Sequence, residues 1–252
     1  MGSKNKISNY IHEFISLNKG INQTYVEPFC GGCNMIDKIK GNRIASDNNK
    51  YLIALWQGLQ ANLNRPYEIT KQMYDNAKND FKNSTNVFYT DFEIAWIGFM
   101  ASYNGTFFNS GYGGIIKTKT GIIRNYIDEQ IRNTENQIKY LKDVSFFYAD
   151  YKTLEIPENS FIYCDIPYFK TSNYTTSNLF NHLEFYTWAE LKNKEGNKVF
   201  ISEYWMPEDR FTKIWQKQIK SNLSTKTQNK IESLFIPKNQ EVKRQLSFFY
   251  CL

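Results

Sequence analysis

The alternation of short strand-like runs with helical patterns is the feature that most constrains what this chain can fold into. Strands and helices that alternate along a chain favour an α/β fold, whose sites lie beyond the carboxyl ends of the strands. The runs of strand character are TYVEPF (24–29), Arg43 to Ser46, VSFFYAD (144–150), SFIYCD (160–165) and KVFISEY (198–204). LFIP (234–237) and LSFFYCL (246–252) are expected to close the sheet.

The predicted helices lie between these runs. Apolar residues recur at helical spacing between Ser3, which can cap a helix, and Gly20. Further helices are predicted at about 48–63 and at 181–193.

A long middle stretch, roughly 65–140, interrupts this alternation. It is rich in aromatic, amide and basic residues and contains SYNGTFFNSGYGG (102–114). We therefore interpret it as an insertion into the α/β pattern. Within it, IIKTKTGIIR (115–124) predicts either a hairpin or an extended loop.

Composition limits the class of protein. A chain of 252 residues with 41% hydrophobic residues can bury a sizeable core, as one large domain or as one domain with an insertion. Cysteines are few, no leader opens the chain, and no apolar run reaches the roughly 18 residues of a membrane span. We therefore expect a soluble, cytoplasmic protein with reduced thiols and no membrane partner. A monomer is expected, and a dimer stays open.

The charge balance gives a weak indication of the partner. A net charge of +6 and 17% aromatic residues suit a polyanion with flat bases to stack on. A composition shaped by an AT-rich genome explains the same figures equally well.

EPFCGGC (27–33) supports three interpretations. A redox C-x-x-C pair also lies between a strand and a helix, but here both central residues are glycine and the chain is large for that module. A zinc site needs more ligands, and the sequence has no second C-x-x-C and only His12 and His182. The third interpretation is a glycine turn followed by Asp47, an acid that can accept from ribose hydroxyls. It predicts a nucleoside-bearing cofactor, and the lack of G-x-G-x-x-G disfavours a dinucleotide.

FIYCDIPYF (161–169) places an acid and an aromatic residue directly after an apolar strand. Asp165 and Tyr168 are then expected at the carboxyl end of that strand, where open α/β sheets have their sites. Each residue also has a structural interpretation, since Asp165 can be a helix N-cap and Tyr168 a core aromatic.

Several motifs in a fixed order carry a family resemblance. They are MGSKNK at the start, EPFCGG, RIASDNNKYLIAL, YADYKTLEIPENSFIYCD, DIPY, VFISEYWMP and ESLF. With DIPY in the position of the family's D-P-P-Y, the chain resembles the Dam-like (D12 class, phage-type) DNA adenine-N6 methyltransferases over nearly its whole length.

The resemblance implies a Rossmann-like methyltransferase sheet, S-adenosylmethionine as the cofactor and duplex DNA as the partner. The sulfonium of this cofactor is cationic, so acids and aromatic faces suit it. Asp47 would accept from the ribose, and Asp150 would lie near the cofactor adenine, although a turn acid is an almost equal alternative for Asp150. The implied cofactor contacts are Lys4, Glu27, Phe29, Gly31, Gly32, Asp47 and Asp150.

The implied reaction is methyl transfer to the exocyclic N6 of adenine, with the target base flipped out of the duplex. Asp165 and the backbone carbonyl of Ile166 would accept the two amino hydrogens, and Tyr168 would stack on the base. Pro167 completes this loop. The work is positioning and transition-state hydrogen bonding, so no metal and no nucleophilic cysteine are expected.

The chain departs from the family pattern at a few positions. Ile166 replaces the first proline, which keeps the accepting carbonyl but loses rigidity. A catalytically silent DNA-binding relative, and a relative that acts on RNA or uses a modified donor, therefore stay as alternatives. Asn104 and Thr106 stand where glycine and lysine are expected, so DNA contacts are expected to differ. Three cysteines, Cys30, Cys33 and Cys164, are interpreted as small buried hydrophobes, and His182 as a structural partner of the helix it begins.

The middle segment is expected to read the target DNA. The predicted division is 1–54 and 141–252 for the methyltransferase domain and 55–140 for the inserted recognition region. A solvated basic loop is the alternative, because Lys and Arg are usually simply exposed. The predicted DNA contacts are Lys117, Lys119 and Arg124 toward phosphates, and Tyr103, Asn104, Asn109 and Tyr112 toward bases or the space left by the flipped nucleotide.

Overall fold

The computed structural model describes Lys4 and residues 7–117, 120–168, 180–221 and 228–243, with the backbone alone for 219–221 and 228–230. The strands of this part are β1 (Tyr25–Glu27), β2 (Arg43–Asp47), β3 (Ile115–Lys117), β4 (Ile123–Asn125), β5 (Val144–Tyr148), β6 (Phe161–Asp165), β7 (Lys198–Glu203), β8 (Phe211–Ser221) and β9 (Gln228–Pro237).

Seven of these strands form one sheet in the order β5-β2-β1-β6-β7-β9-β8. The first five run parallel, whereas β9 is antiparallel to both β7 and β8. Numbered among themselves along the chain, the first five strands have the order 3-2-1-4-5, which is that of a doubly wound Rossmann sheet. The predicted α/β fold is therefore confirmed. The strand order reverses between β1 and β6.

The strands read from the sequence agree with β1, β2, β5, β6 and β7, and LFIP lies within β9. Strand β8 was not predicted. Within the described residues it is the last strand of the sheet and pairs with β9. Its sequence, FTKIWQKQIKS, mixes lysines and glutamines with apolar residues, a composition that is common in strands at the side of a sheet. The expected strand LSFFYCL lies outside the described residues.

The helices of the described residues are α1 (Ser8–Asn18), α2 (Lys50–Gln60), α3 (Lys71–Asn83), α4 (Asp91–Ala101), α5 (Tyr126–Ile138) and α6 (His182–Lys194). Helices α1, α2 and α6 confirm the predicted ones. Asparagine side chains begin two of them: Asn49 accepts from the N–H of Tyr51, and Asn181 accepts from that of Glu184. Such caps satisfy N–H groups that a helix start leaves without partners. Ser3, the expected cap of the first helix, lies outside the described residues.

Side chains of the central strand β6 alternate between two apolar layers. Phe161 and Tyr163 belong to the layer that contains side chains of α1, α2 and α4, while Ile162 and Cys164 belong to the layer formed with α6. Helices therefore cover both faces of the sheet. This is why FIYC is a continuous apolar run, since a strand buried on both faces has no polar side.

The middle stretch of the chain is largely helical and shares its core with the sheet. Helix α4 packs against α2, α3 and α5. Its residues Phe92 and Ile94 to Ala101 are all buried, as expected for a helix that is apolar on all sides. The side chains of α4 lie in the same apolar layer as those of α1 and α2.

Strands β3 and β4 form a separate antiparallel hairpin, with Ile115 opposite Asn125. Of the two alternatives for IIKTKTGIIR, the hairpin is confirmed. Its apolar side chains are unusually exposed: Ile115, Ile122 and Ile123 each keep more than half of their surface in solvent. Thr118 and Lys119 lie outside the described residues.

Candidate active site

Four acids line one edge of the sheet. Glu27 ends β1, Asp47 ends β2, Asp165 ends β6 and Glu203 ends β7. Because these strands are parallel neighbours, their carboxyl ends meet at the same edge, on both sides of the point where the strand order reverses. Open α/β sheets bind their ligands at such a point.

The glycine turn after β1 is held by side chains and leaves open space above its backbone. The N–H of Gly31 donates to Oδ2 of Asp47 at 3.0 Å, and Trp56 Nε1 donates to the carbonyl of Gly31 at 3.2 Å. From the middle segment, Gln137 Nε2 donates to the carbonyl of Gly32 at 2.9 Å. Gly31 has φ +44°, and a Cβ there would meet no atom within 4 Å. A ligand can therefore approach this backbone closely.

Asp47 is fixed in place by two backbone donors. Its Oδ1 accepts from the N–H of Asn49 at 2.9 Å, and its Oδ2 accepts from Gly31. Burial raises the pKa of Asp47, and the two N–H bonds work against this rise. A carboxylate has about four acceptor positions, so two remain for hydroxyl donors.

Glu27 is a buried acid beside this turn. Its side chain is 3% exposed, and Oε1 accepts from the hydroxyl of Tyr25 at 2.7 Å. Burial raises the pKa of Glu27 well above its usual range, and the hydrogen bond from Tyr25 opposes the shift. A cation that entered this edge of the sheet would favour the ionised form.

Phe29 belongs to an aromatic wall between the end of β1 and the start of α6. Its ring lies 5.2 Å from that of Tyr151 and 5.7 Å from those of Phe180 and Phe185, measured between centroids. Phe29 is only partly buried, so one side of this wall stays accessible.

Asp150 lies in the turn that follows β5. Its Oδ1 accepts from the N–H of Lys152 at 3.0 Å, and its carbonyl accepts from the N–H of Leu154 at 3.0 Å. Asp150 therefore makes the turn contacts of its structural interpretation. It directly precedes Tyr151 of the aromatic wall.

The acid of DIPY lies beside a buried lysine. Lys4 Nζ is 3.1 Å from Oδ1 of Asp165 and 3.1 Å from Oε2 of Glu232. Burial works to lower the pKa of Lys4, but the two carboxylates outweigh it and raise that pKa. Burial raises the pKa of Asp165, Lys4 opposes this, and Glu232 adds to it. Lys4, expected at the cofactor, is thus in direct contact with the expected catalytic acid.

Among the described residues, three neighbours contact Tyr168. Its hydroxyl donates to Glu232 Oε2 at 2.7 Å. Lys4 Nζ lies 4.4 Å from the ring centroid, and the ring of Tyr204 meets it edge-on at 4.3 Å. Tyr168 itself is only partly buried, so it is not a core aromatic.

The residues between Asp165 and Tyr168 anchor the loop. Ile166 is buried in the apolar layer beneath α6. The carbonyl of Pro167 lies 2.9 Å from Nε2 of His182, and the same nitrogen is 4.0 Å from Oε2 of Glu203. His182 therefore ties this loop to α6 as well as beginning that helix.

The predicted DNA contacts fall into two groups. Tyr103 and Arg124 both contact Tyr126. The ring centroids of Tyr103 and Tyr126 are 5.5 Å apart, and the guanidinium of Arg124 lies 4.7 Å from the ring centroid of Tyr126. Arg124 also pairs with Glu129, its Nε lying 2.9 Å from Oε1. Lys117 is exposed on β3.

The other predicted DNA contacts are more scattered. Asn109 is exposed, and exposed Asn104 has φ +56°, which asparagine tolerates better than most residues. The hydroxyl of Tyr112 donates to the carbonyl of Ile69 at 2.6 Å, so it is engaged within the protein. Lys119 lies outside the described residues.

The cysteines of the described residues, Cys30, Cys33 and Cys164, are free and buried. Burial raises the pKa of Cys33 and of Cys164, which keeps both as unreactive thiols. Within the described residues, no group of three His, Cys, Asp or Glu side chains is arranged to hold a metal ion. No helix in the same part of the chain is long and apolar enough to cross a membrane.

Sequence reasoning missed two acids that contact the site, Glu203 and Glu232. Both lie in motifs that carried the family resemblance, VFISEYWMP and ESLF, so the signal was present as an acid inside an apolar strand. Which acid reaches the DIPY loop depends on how β7 and β9 are aligned. No local pattern contains that alignment.

The strand order defines the fold class: a Rossmann-like α/β fold with a seven-stranded, mostly parallel sheet. Residues 1–95 match the sequence profile of the D12 class N6 adenine-specific DNA methyltransferase family. The family resemblance is confirmed over this range, and the match supports methyltransferase activity.

Solved structures and curated proteins give little more. The chain is similar to the rRNA methyltransferase AviRa from Streptomyces viridochromogenes, with 8% sequence identity and a TM-score of 0.41. The alignment covers 92% of this chain and 84% of that one. No curated protein sequence matches the chain.

Proposed function

We propose that this protein is a site-specific DNA methyltransferase that transfers a methyl group from S-adenosylmethionine to the exocyclic N6 of adenine in duplex DNA. The observation that carries the proposal is the position of Asp165 and Tyr168. They lie where the strand order of the sheet reverses, at the edge where the parallel strands end and where the glycine turn and Asp47 also lie. Methyl-accepting and cofactor-binding groups would then face each other across the ends of β1 and β6.

The residues at the turn fit the cofactor. The open space above Gly31 admits a ligand against the backbone, and Asp47 has acceptor positions left for two ribose hydroxyls. Glu27 and the partly exposed ring of Phe29 suit a cationic ligand. When bound, S-adenosylmethionine supplies an electrophilic methyl group on its sulfonium. Asp150 and Lys4 complete the proposed contacts of this group.

The DIPY loop would position the base. The adenine amino nitrogen is a poor nucleophile, because its lone pair is delocalised into the ring. Asp165 and the carbonyl of Ile166 would accept its two hydrogens and favour a pyramidal nitrogen, while the Tyr168 ring would stack on the base. These bonds strengthen as the nitrogen becomes pyramidal, so they stabilise the transition state more than the ground state.

A base inside a duplex cannot reach such a loop, so the proposal includes base flipping. In this proposal, residues 1–54 and 141–252 carry the chemistry and residues 55–140 read the DNA. The β3–β4 hairpin supports this division, since Lys117 and Arg124 lie beside three exposed isoleucines. Basic side chains suit phosphates, and apolar ones can enter the space between bases.

The test is incubation of the protein with tritiated S-adenosylmethionine and mixed-sequence DNA or RNA, followed by nucleoside analysis. We expect labelled N6-methyladenine in DNA. If label appeared in RNA alone, the proposed substrate would be wrong and the enzyme would act on RNA. DNA and cofactor binding without transfer would identify a catalytically silent relative.

A further inference from the structure

Glu232 is a buried acid that touches two residues of the proposed site. It is 6% exposed, and a single oxygen, Oε2, accepts from the hydroxyl of Tyr168 at 2.7 Å and lies 3.1 Å from Lys4 Nζ. It is more deeply buried than Asp165, whose side chain is 28% exposed. Burying a carboxylate is costly unless charged and hydrogen-bonding partners compensate.

The reversed strand β9 brings Glu232 to this place. The neighbouring residue, Ser233, is paired with Glu203, the last residue of β7. Because β9 runs antiparallel to β7, its first half reaches the edge of the sheet where the parallel strands end. A parallel strand in this position would present its last residues there instead.

We propose that Glu232 is a positioning residue of the methyl-transfer site, which fixes the ring of Tyr168 and holds Lys4 beside Asp165. This inference rests on the proposed function. Glu232 does not touch the reacting atoms and acts through these two side chains.

The contact with Tyr168 sets the plane on which a flipped base stacks. A tyrosine ring on a loop can rotate about two side-chain bonds. The hydroxyl bond to Glu232 fixes the far end of the ring, and Tyr204 supports it from the side. Loss of the acceptor would remove this anchor and let the ring shift, which would misplace the base by a distance that matters for transfer.

The contact with Lys4 divides one cation between two acids. Lys4 binds Oδ1 of Asp165, so a second oxygen of that carboxylate is left for the amino hydrogen of the base. Lys4 also favours the ionised, accepting form of Asp165. The negative charge of Glu232 holds Lys4 in place but also works to raise the pKa of Asp165.

The test compares the wild type with three single variants, Glu232→Ala, Glu232→Gln and Tyr168→Phe, and with the double variant Tyr168→Phe/Glu232→Ala. Single-turnover methylation is measured with saturating tritiated S-adenosylmethionine and a duplex that the wild type methylates. We expect Glu232→Ala to lower the rate constant on the order of a hundredfold, as for other losses of positioning. Affinity for the cofactor, measured by calorimetry, should fall far less than the rate constant, because Glu232 reaches the proposed cofactor contacts through Lys4 and is not itself one of them.

Two further readouts separate positioning from a merely structural role. Glu232→Gln keeps an acceptor for the Tyr168 hydroxyl, so it should recover most of the rate that Glu232→Ala loses. Burial raises the pKa of Asp165 and the charge of Glu232 adds to that rise, so without this charge the acid limb of the pH–rate profile should move to lower pH. In a Tyr168→Phe background, Glu232→Ala should cost less than in the wild type, because the shared contact is already lost. Glu208→Gln, at an exposed acid after β7, is the matched control.

The outcomes are distinct. Folded Glu232 variants with the wild-type rate and the wild-type acid limb would overturn this inference alone, leaving the proposed function in place. A wild type that transfers no methyl group to DNA would overturn the proposed function. If Glu232→Ala fails to fold, the other two variants still test the inference. Glu232→Gln tests it through the acid limb of the pH–rate profile, and Tyr168→Phe tests it through the rate constant.

Discussion

Asp165 is the single residue on which the proposed chemistry depends most. Its carboxylate lies at the end of β6, pairs with Lys4 through one oxygen, and keeps 28% of its side chain in solvent. The ion pair with Lys4 therefore orients the carboxylate, and its exposed part remains accessible to a ligand. Its nearest cation is a buried side chain whose position is itself set by a second acid, Glu232.

Replacement of Asp165 by asparagine should separate chemistry from binding. The variant keeps the shape but replaces one accepting oxygen with an amide, so we expect the methylation rate constant to fall on the order of a hundredfold or more. Cofactor affinity should change little, since this interaction strengthens only in the transition state. Single-turnover kinetics and calorimetry measure the two effects. Asp209→Asn, at an exposed position, is the control, and an unchanged rate in Asp165→Asn would disprove the mechanism.

Glu27 gives the protein a predicted pH dependence of stability. Burial raises its pKa in the folded state above the value of an exposed glutamate, about 4.3. The folded protein therefore holds a proton that the unfolded chain releases. Stability from this group is complete below the unfolded pKa and is lost as pH rises through the folded pKa.

Glu27→Gln should remove this dependence. Glutamine can still accept from the hydroxyl of Tyr25, but it cannot ionise. The stability of the variant relative to the wild type should thus increase as pH rises from about 4.3, the unfolded value, through the raised pKa of Glu27. Urea unfolding across this range measures it, with exposed Glu68→Gln as the control. A difference between variant and wild type that does not vary with pH would contradict the prediction.

Among the structural elements, the β3–β4 hairpin stands apart from the main sheet. It exposes isoleucines next to Lys117 and Arg124, which is unusual for a surface that contacts only water. Arg124 is also paired with Glu129 and lies 4.7 Å from the ring centroid of Tyr126, so these two neighbours hold its guanidinium in one orientation.

Removal of the two charges should weaken the salt dependence of DNA binding. Each phosphate contact releases counterions and contributes about 0.9 to the slope of log affinity against log salt concentration, so Lys117→Ala with Arg124→Ala should lower the slope by about 1 to 2. Fluorescence anisotropy with a labelled duplex at several salt concentrations measures it. The control is Lys40→Ala with Lys142→Ala, since these exposed residues precede β2 and β5 at the opposite edge of the sheet. Equal slopes in both double variants would place the DNA surface elsewhere.

At the scale of the whole molecule, the middle segment is packed into the sheet-bearing part. Gly58 of α2 faces Phe92 of α4, and a Cβ at Gly58 would lie 2.1 Å from the nearest carbon of that ring. The two helices approach this closely because glycine has no side chain.

Gly58→Ala tests how rigidly these two parts are joined. Alanine should gain about 1 kcal/mol from helix propensity, while overpacking against a buried ring costs about 1 to 3 kcal/mol. Because the clash is severe, we expect a net loss of about 1 to 2 kcal/mol in the free energy of unfolding. Denaturant unfolding measures it, and Gly20→Ala, at an exposed glycine whose neighbours lie at 3.6 Å or more, is the control. A stabilised Gly58→Ala would show that α4 can move away from α2.

The sequence determined the elements that depend on local patterns. Helical spacing identified α1, and apolar runs that end in acids identified β2 and β6 together with the edge at which their acids meet. The motif DIPY placed Asp165 and Tyr168 at that edge. These features follow from side-chain periods and from residues adjacent in the chain, so a single sequence contains them.

The tertiary structure alone decided which side chains meet. Lys4 and Glu232 are separated by 228 positions, and Tyr168 and Glu232 by 64. Lys4 and Tyr168 nevertheless contact the same oxygen of Glu232. Strand β8 and the reversal of β9 were likewise invisible, because an edge strand has no continuous apolar run and strand direction is set by pairing. Contacts of this kind depend on how β7 and β9 align in the folded sheet, and that alignment minimises the free energy of the whole core rather than of any segment.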